Sequence, residues 1–381
     1  MKICTLIERL DPEYGGPSVS LPSLLNELSK DRYSVDNHVF SGYFDNKYSG
    51  KNDILNEKRI NHYLFSFGGI KKIAYSRNLN YLLNKHAYDS DLFFCNNLWN
   101  YISYAGYSFS KKRNIPLVTS IRGALFPWSL SQGRYRKILA WNAFQKKMLQ
   151  NSSLIHVTSE QEADAVKKLG IKSEILLSSH GVDIPDSNDY SSDASKIRLG
   201  LPTDRRYILF MSRLHSKKGL DLLLKVWKKI SGIYKDWTLL IAGPDYGNYN
   251  KKINLEFADD QSIIMLGMLK GENKEDAFSA SELFVLPSYT ENFGVVIAEA
   301  LARGIPVLTS NGTPWSHIND RQCGSCFDLS ENNLGIELGR FLSIDRNKLK
   351  EYGLNGRNLI IENYSWSAKA KQFYEGISKV L

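Results

Sequence analysis

The chain has 381 residues, 43% of them hydrophobic and 23% charged, with a formal net charge of +9. That is ordinary globular material, too long for one typical core and long enough for two domains of roughly 190 residues each. No apolar run approaches about 18 residues, and the opening MKICTLIERLD turns acidic too early for a signal peptide, so no spanning segment is expected and the protein is read as cytoplasmic.

Along the chain, apolar runs alternate with helical patterns. KICTLIE reads as a strand and VSLPSLLNELSK as the helix after it, and SVDNHVF, DLFFCNN, PLVTSI, LIHVTS and EILLSSHGV continue the strands, with EQEADAVKKLG as a helix before the last. Such alternation predicts a parallel sheet with helices on both faces. After the first strand, YGGPS sets Gly15 and Gly16 ahead of a helix. This loop could admit a phosphate or sugar to the backbone, or be a simple turn; lacking the Gly-x-Gly-x-x-Gly spacing, it disfavours a dinucleotide.

From Leu92 to Ser159 there is no Asp or Glu, while nine basic residues occur: Lys111, Lys112, Arg113, Arg122, Arg134, Arg136, Lys137, Lys146 and Lys147. Trp99, Tyr101, Phe126, Trp128, Tyr135, Trp141 and Phe144 lie among them. An aromatic and basic surface without carboxylates suits an anionic membrane face or an anionic acceptor, and a solvated helix face is the plainer alternative. No nucleic-acid motif accompanies it, so nucleic acid is not expected as a partner.

A polar stretch, VDIPDSNDYSSDASKIRLGLPTDRR, then interrupts the pattern. The predicted organisation is a first domain over 1–185, a linker over 186–205, a second domain over 206–365 and a closing helix over 366–381. Alternation restarts with YILFMSRL, GLDLLLKVWKKI, WTLLIAG, IIMLG, ELFVLPS and PVLTS. Two doubly wound, Rossmann-like α/β domains follow from this, with ligands expected at the carboxyl ends of the strands, in a cleft between them. In YILFMSRLHSKKGLDLLL, Arg213 closes a strand and Lys218 opens the next helix. A planar fork and a point charge placed there suit a diphosphate.

The stretch SYTENFGVVIAEALARGIPVLTS holds Glu291 and Glu299 eight positions apart in largely apolar surroundings. It reads as a loop and then a helix capped by Asn292, with Gly294 in its first turn, Gly304 as its left-handed end and Pro306 forbidding continuation. Glu299 then lies about 12 Å along from Glu291 at ~1.5 Å per residue, with the free amides of the first turn between them. A buried helical carboxylate costs several kcal/mol unless paired, which makes Glu299 a functional candidate beside the plainer reading of a salt-bridged helix residue. The cysteines, Cys4, Cys95, Cys323 and Cys326, lack the further ligands a zinc site needs and are read as unpaired thiols.

Together YGGPS, SIRGALFPWSL, HVTSEQEADAVKKLG, SSHGVDIP, SRLHSKKGLDLLL, LPSYTENFGVVIAEALARGIPVLTSNGTPW and YSWSAKAKQFYEGI resemble the retaining group-1, or family 4, glycosyltransferases of the GT-B fold. More narrowly, they resemble bacterial enzymes that build O-antigen, capsule or other surface polysaccharides. The resemblance implies transfer of a hexose-type sugar from a UDP- or GDP-sugar to a lipid-diphosphate-linked saccharide. The protein would then sit peripherally on the inner face of the cytoplasmic membrane, with no metal, and its last helix would return to the first domain. It implies that Arg213 and Lys218 bind the donor diphosphate, Glu299 the ribose and Glu291 the donor sugar. The backbone of Asn292, Phe293, Gly294 and Val295 would line phosphates and sugar, and Gly16 would close the cleft near the leaving phosphate. Arg122 stands where many relatives carry His, which makes it an anion or acceptor candidate. SSHGVD puts His180 where relatives usually have Asn, and Trp315 either underlies the nucleotide or fills the core beside Ser316, which stands where an acid is frequent. The rival readings are a sugar-nucleotide 2-epimerase on the same two-domain fold and a non-catalytic nucleotide-sugar-binding protein.

Overall fold

The computed structural model describes residues 1–381 except 12–15, 44–54, 56, 69–73, 186–191, 246–247, 258–260 and 292. The chain divides into two compact units, one of Met1–Gly181 with Trp366–Leu381 and the other of Val182–Ser365. The first ends at Gly181 rather than at 185.

The first unit is built on seven parallel strands, β1 (Lys2–Ile7), β2 (Asp36–Tyr43), β3 (Ile60–Ser66), β4 (Leu92–Asn96), β5 (Leu117–Ser120), β6 (Leu154–Val157) and β7 (Glu174–Leu177). They are ordered β3-β2-β1-β4-β5-β6-β7. Both faces of β1 are apolar. Ile3 and Ile7 join a core layer with the helix Gly16–Leu28, while Cys4 and Leu6 join the opposite layer with Phe93 and Met148. A strand buried on both faces is what a parallel sheet covered by crossover helices requires. The helix Trp366–Ile377 completes this unit, its Phe373 ring 4.9 Å from Phe94. Gly181 is needed beside it, because a Cβ there would lie 2.4 Å from the Trp366 ring.

The second unit holds β8 (Arg206–Met211), β9 (Trp237–Ala242), β10 (Ile263–Gly267), β11 (Leu283–Leu286), β12 (Val307–Ser310) and β13 (Gly324–Phe327). These strands are also parallel, in the order β10-β9-β8-β11-β12-β13. In each sheet the order reverses at one place, between β1 and β4 and between β8 and β11, and the crevice at the carboxyl ends there is where open α/β sheets bind ligands. Among the described residues no helix is long and apolar enough to cross a membrane.

The expected linker is partly structured. Residues Ser192–Arg198 form a helix of the second unit, packed on the helix Gly271–Ser279. The buried carboxylate of Asp276 accepts from Ser195 Oγ at 2.8 Å and from Arg198 Nε at 2.9 Å. Local polarity concealed this, since the partner lies far away in sequence. The Arg198 hydrogen bonds hold the Asp276 carboxyl below its ordinary value. Arg198→Ala is therefore expected to destabilise the second unit by about 2 kcal/mol, less than a fully buried pair because the guanidinium reaches solvent. Urea unfolding of wild type and variant checks this.

Candidate functional site

In the second unit the site assembles where β8 and β11 part. The backbone makes a tight junction there: Gly219 adopts φ +72°, and a Cβ on it would lie 1.9 Å from the carbonyl oxygen of Pro287. Tyr289 N–H donates to the Lys217 carbonyl at 2.8 Å, and Ser288 Oγ donates to the same oxygen at 3.0 Å. Only a glycine at 219 permits both the left-handed turn and the approach. With the two loops joined, the Lys218 ammonium donates to Glu291 Oε1, and both side chains are nearly buried. Arg213, two residues past β8, is exposed and makes no ion pair among the described residues.

The helix Val295–Ala302 follows. Gly294 is its N-cap in a left-handed conformation (φ +76°) rather than a first-turn residue, and no side chain caps the end. The expected cap, Asn292, lies outside the described residues, as does Gly15. Gly304 does close the helix left-handed, at φ +71°. Val295 is exposed, and while the Ile297 amide already donates to the Gly294 carbonyl at 2.9 Å, the Val295 and Val296 amides of the first turn have no intrahelical acceptor, so they offer donors and a positive dipole end to an anion. Phe293 lies just before this helix end. Its ring is buried against Trp315 and Tyr364, and its carbonyl accepts from Trp315 Nε1 at 2.5 Å. Trp315 itself is fully buried, so it fills the core under the loop, and Ser316 beside it is exposed.

Glu299 is one-fifth exposed and pairs with Lys274 Nζ at 2.7 Å. Arg303 forks onto Glu275 alongside, at 2.7 and 2.6 Å, so two ion pairs join the helices Gly271–Ser279 and Val295–Ala302. Lys274 answers the question of what a carboxylate does on this helix. It neutralises the charge, while the carboxylate remains open to solvent on one side. The partner sits 25 residues upstream on another helix, so no local spacing announced it.

In the first unit the corresponding edge gathers around Arg122. Its backbone is left-handed at φ +44°, a strained state for a non-glycine residue. Nη1 donates to Ser20 Oγ at 3.0 Å, on the helix Gly16–Leu28 that Gly16 opens, and Nε and Nη2 donate to Asn96 Oδ1 at 3.2 and 3.1 Å, at the end of β4. Arg122 thus bridges the two sides of the β1/β4 reversal. Burial lowers its pKa to about 10, partly offset by Glu162, so it stays a cation near neutrality. Glu162 is fully buried, accepts from the Gly123 amide, and accepts from Thr158 N and Oγ1 at 2.7 and 3.0 Å. Reading the sequence for site residues passed over it, although Ser159-x-x-Glu162 has capping-box spacing and Ser159 caps that helix.

His156 on β6 is buried beside Arg122, its Nδ1 2.9 Å from Ser120 Oγ and its Nε2 3.0 Å from the Ser178 carbonyl. A carbonyl can only accept, so the proton resides on Nε2 and Ser120 donates to Nδ1. Burial, then Arg122, pushes His156 and His180 down to about 3. Both are neutral at physiological pH, which leaves Arg122 as the cation of this cluster.

These features define a class: two Rossmann-like α/β units, each with polar and charged groups at the carboxyl edge of its strand-order reversal, as in the GT-B fold. The family follows from direct comparison. Residues 191–358 match the family model described as Glycosyl transferases group 1, and residues 14–185 match Glycosyltransferase Family 4, so that the chain belongs to the group-1, family 4 glycosyltransferases. It is 27% identical over 203 residues to a phosphatidyl-myo-inositol mannosyltransferase of Mycobacterium tuberculosis, covering 51% of this chain and 53% of that protein. In fold it is similar to sucrose-phosphate synthase from Thermosynechococcus elongatus, with TM-score 0.75, 20% identity and coverage of 100% and 98%. It is also similar to Anabaena HepE in complex with UDP-glucose, with TM-score 0.71, 20% identity and complete coverage of both chains. The chain spans about half, or less, of the length of the curated relatives it matches.

The depressed histidines set a pH dependence. A His whose folded pKa is about 3 but whose unfolded value is near 6.5 takes up its proton on unfolding, so stability falls as pH drops below 6.5 toward 3. Replacing His156 by Gln, which can keep both hydrogen bonds, is expected to flatten that slope by about 1.4 kcal/mol per pH unit between pH 6 and 4. Thermal unfolding of both proteins across that range measures it, and an unchanged slope would contradict a neutral buried His156.

Proposed function

We propose that this protein is a retaining, metal-independent glycosyltransferase that moves a hexose-type sugar from a UDP- or GDP-sugar to a lipid-diphosphate-linked saccharide. Its setting is bacterial surface polysaccharide synthesis, of the O-antigen or capsule kind, at the inner face of the cytoplasmic membrane. The observation that carries the donor assignment is the Lys218–Glu291 pair beside the open amide end of the Glu299 helix, at the β8/β11 reversal. The HepE complex supports a UDP-sugar as donor, and the mannosyltransferase, by its name, supports an acceptor in a membrane lipid.

In this reading the donor diphosphate lies against Arg213, Lys218 and the first-turn amides at Gly294 and Val295. Breaking the bond from the anomeric carbon to the phosphate oxygen leaves the electron pair on the nucleotide and positive charge on the sugar. Cations and amides already in place stabilise the first, which is why no divalent metal is required. Glu291, its charge balanced by Lys218, is suited to accept hydrogen bonds from sugar hydroxyls rather than to act as a free nucleophile. Glu299 uses its solvent-facing side for the ribose diol while Lys274 keeps it ionised and in place. Arg122, cationic and rigidly held, is the anion or acceptor ligand of the first unit, and Gly16 opens the helix beside it.

Glu299→Ala is expected to weaken UDP binding about tenfold or more with little further loss in turnover, whereas Glu291→Gln should leave UDP binding intact or slightly tighter, by freeing Lys218, and cut turnover at least a hundredfold. Calorimetric titration with UDP and GDP, followed by transfer or donor-hydrolysis assays with the matching sugars, separates the two effects, and retention of full activity by both variants would defeat the donor assignment. Activity after exhaustive EDTA treatment should stay within about twofold of the untreated enzyme, since Arg and Lys supply the charge. Strict dependence on added magnesium would overturn that part.

A further inference from the structure

The carboxylate-free window does not form one face. The helix Tyr101–Arg113 runs from the carboxyl end of β4 back toward the start of β5, so Lys111, Lys112 and Arg113 end up roughly 15–18 Å from Tyr101 at ~1.5 Å per residue. There Arg113 stacks on Tyr88 at 4.0 Å. Arg122 turns inward. What remains at the carboxyl side is the segment 134–144, which together with Trp99–Tyr104 lines an open cavity of about 710 Å³, within the range of small-molecule sites.

That cavity is built rather than incidental. Trp99 forms one wall in a left-handed conformation (φ +72°) that a bulky residue rarely adopts, held by its amide donating to the buried Gln145 Oε1 at 2.9 Å. Trp141–Gln145 is a π-helical turn, a widening of the helix that recurs at functional sites. Tyr104 and Phe144 meet edge to face at 5.3 Å on the other side. The helix Arg134–Ala140 buries none of its residues, leaving Tyr135, Ile138 and Leu139 exposed at 85%, 46% and 70%.

Two polar side chains of the wall are already engaged, while the buried Trp99 indole N–H has no hydrogen-bond partner among the described residues. Asn100 bonds Glu8 and the Ser103 amide at 2.9 Å each, and the Tyr101 hydroxyl accepts from Asn80 at 2.8 Å. With Asn100 and Tyr101 engaged, a polyol would find little beyond that one indole donor, whereas a hydrocarbon needs no partner. Two cations stand among the lining groups. Arg136 makes no ion pair among the described residues, and neither does Lys137, whose ammonium donates to the Ser129 carbonyl and lies 5.7 Å from the Trp99 ring.

We propose that this pocket holds the hydrocarbon of an anionic amphiphile, an alkyl or isoprenoid chain ending in phosphate or diphosphate, with the chain against Trp99, Tyr104, Leu139 and Phe144 and the head at Arg136 and Lys137. The occupant is the lipid arm of the acceptor, and this rests on the lipid-linked reading of the acceptor given above. Farnesyl diphosphate, which is water-soluble, serves as the probe in calorimetric titration of the full chain, with inorganic pyrophosphate and UDP in parallel. Farnesyl diphosphate should bind once per chain and at least about tenfold more tightly than pyrophosphate. Ala143→Trp, which fills the cavity, and Leu139→Asp, at a position exposed enough to spare the fold, should each weaken it about tenfold, and Arg136→Ala with Lys137→Ala should do the same. UDP binding should be unchanged in all of them.

Farnesyl diphosphate binding no better than pyrophosphate, or binding that both Ala143→Trp and Leu139→Asp leave intact, overturns the pocket. Binding to phosphatidylglycerol vesicles without binding of the probe would also overturn it and assign the segment to the bilayer surface instead. Failure of wild type to bind UDP or GDP would sink the donor assignment and leave the pocket standing.

Discussion

The carboxyl edge of the second unit depends on one close approach, that of Gly219 to the carbonyl of Pro287. Strands β8 and β11 are neighbours in the sheet but far apart in sequence, and their loops carry the groups that must act together. The missing Cβ lets the loops touch, the Lys217 carbonyl binds them through Tyr289 and Ser288, and Lys218 then meets Glu291. A nearly buried ion pair adds little stability by itself, because desolvation offsets most of the attraction. Its consequence is geometric, since each partner fixes the other at the strand-order reversal.

The first unit solves a similar problem around a single buried cation. Arg122 is held in a strained backbone state by its fork to Asn96 and Ser20, and the adjoining turn is tied down by a fully buried Glu162. The histidines packed beside it are kept neutral, so they do not compete electrostatically for an anion. Loss of Glu162 would leave the Gly123 and Thr158 amides unsatisfied and release the turn, so that residue is a positioning group rather than a ligand.

Charge in this molecule is informative by place rather than by total. Nine cations in one acid-free stretch read in sequence as a single surface, yet helix length and direction distribute them to different ends of the sheet. The aromatic residues behave likewise. Tyr107 is buried, Phe109 is partly buried and packs on the core, and Tyr135 points to solvent. Of the nine cations, the two that line the apolar cavity, Arg136 and Lys137, lie on the helix Arg134–Ala140.

By itself the sequence determined the parallel, doubly wound architecture, because strands buried on both faces must be apolar throughout and crossover helices must alternate with them. It also determined the loop-and-helix setting of Glu291 and Glu299 and the left-handed end at Gly304, which are local matters of turn chemistry and helix geometry. Tertiary structure alone decided that Lys218 faces Glu291, that Lys274 neutralises Glu299, that residues 192–198 are a helix anchored on Asp276, and that Trp315 supports the Phe293 carbonyl rather than the surface. Each of these joins groups more than twenty residues apart. No local propensity or spacing encodes such a pairing; it arises only when the sheet brings the carboxyl ends of non-consecutive strands side by side.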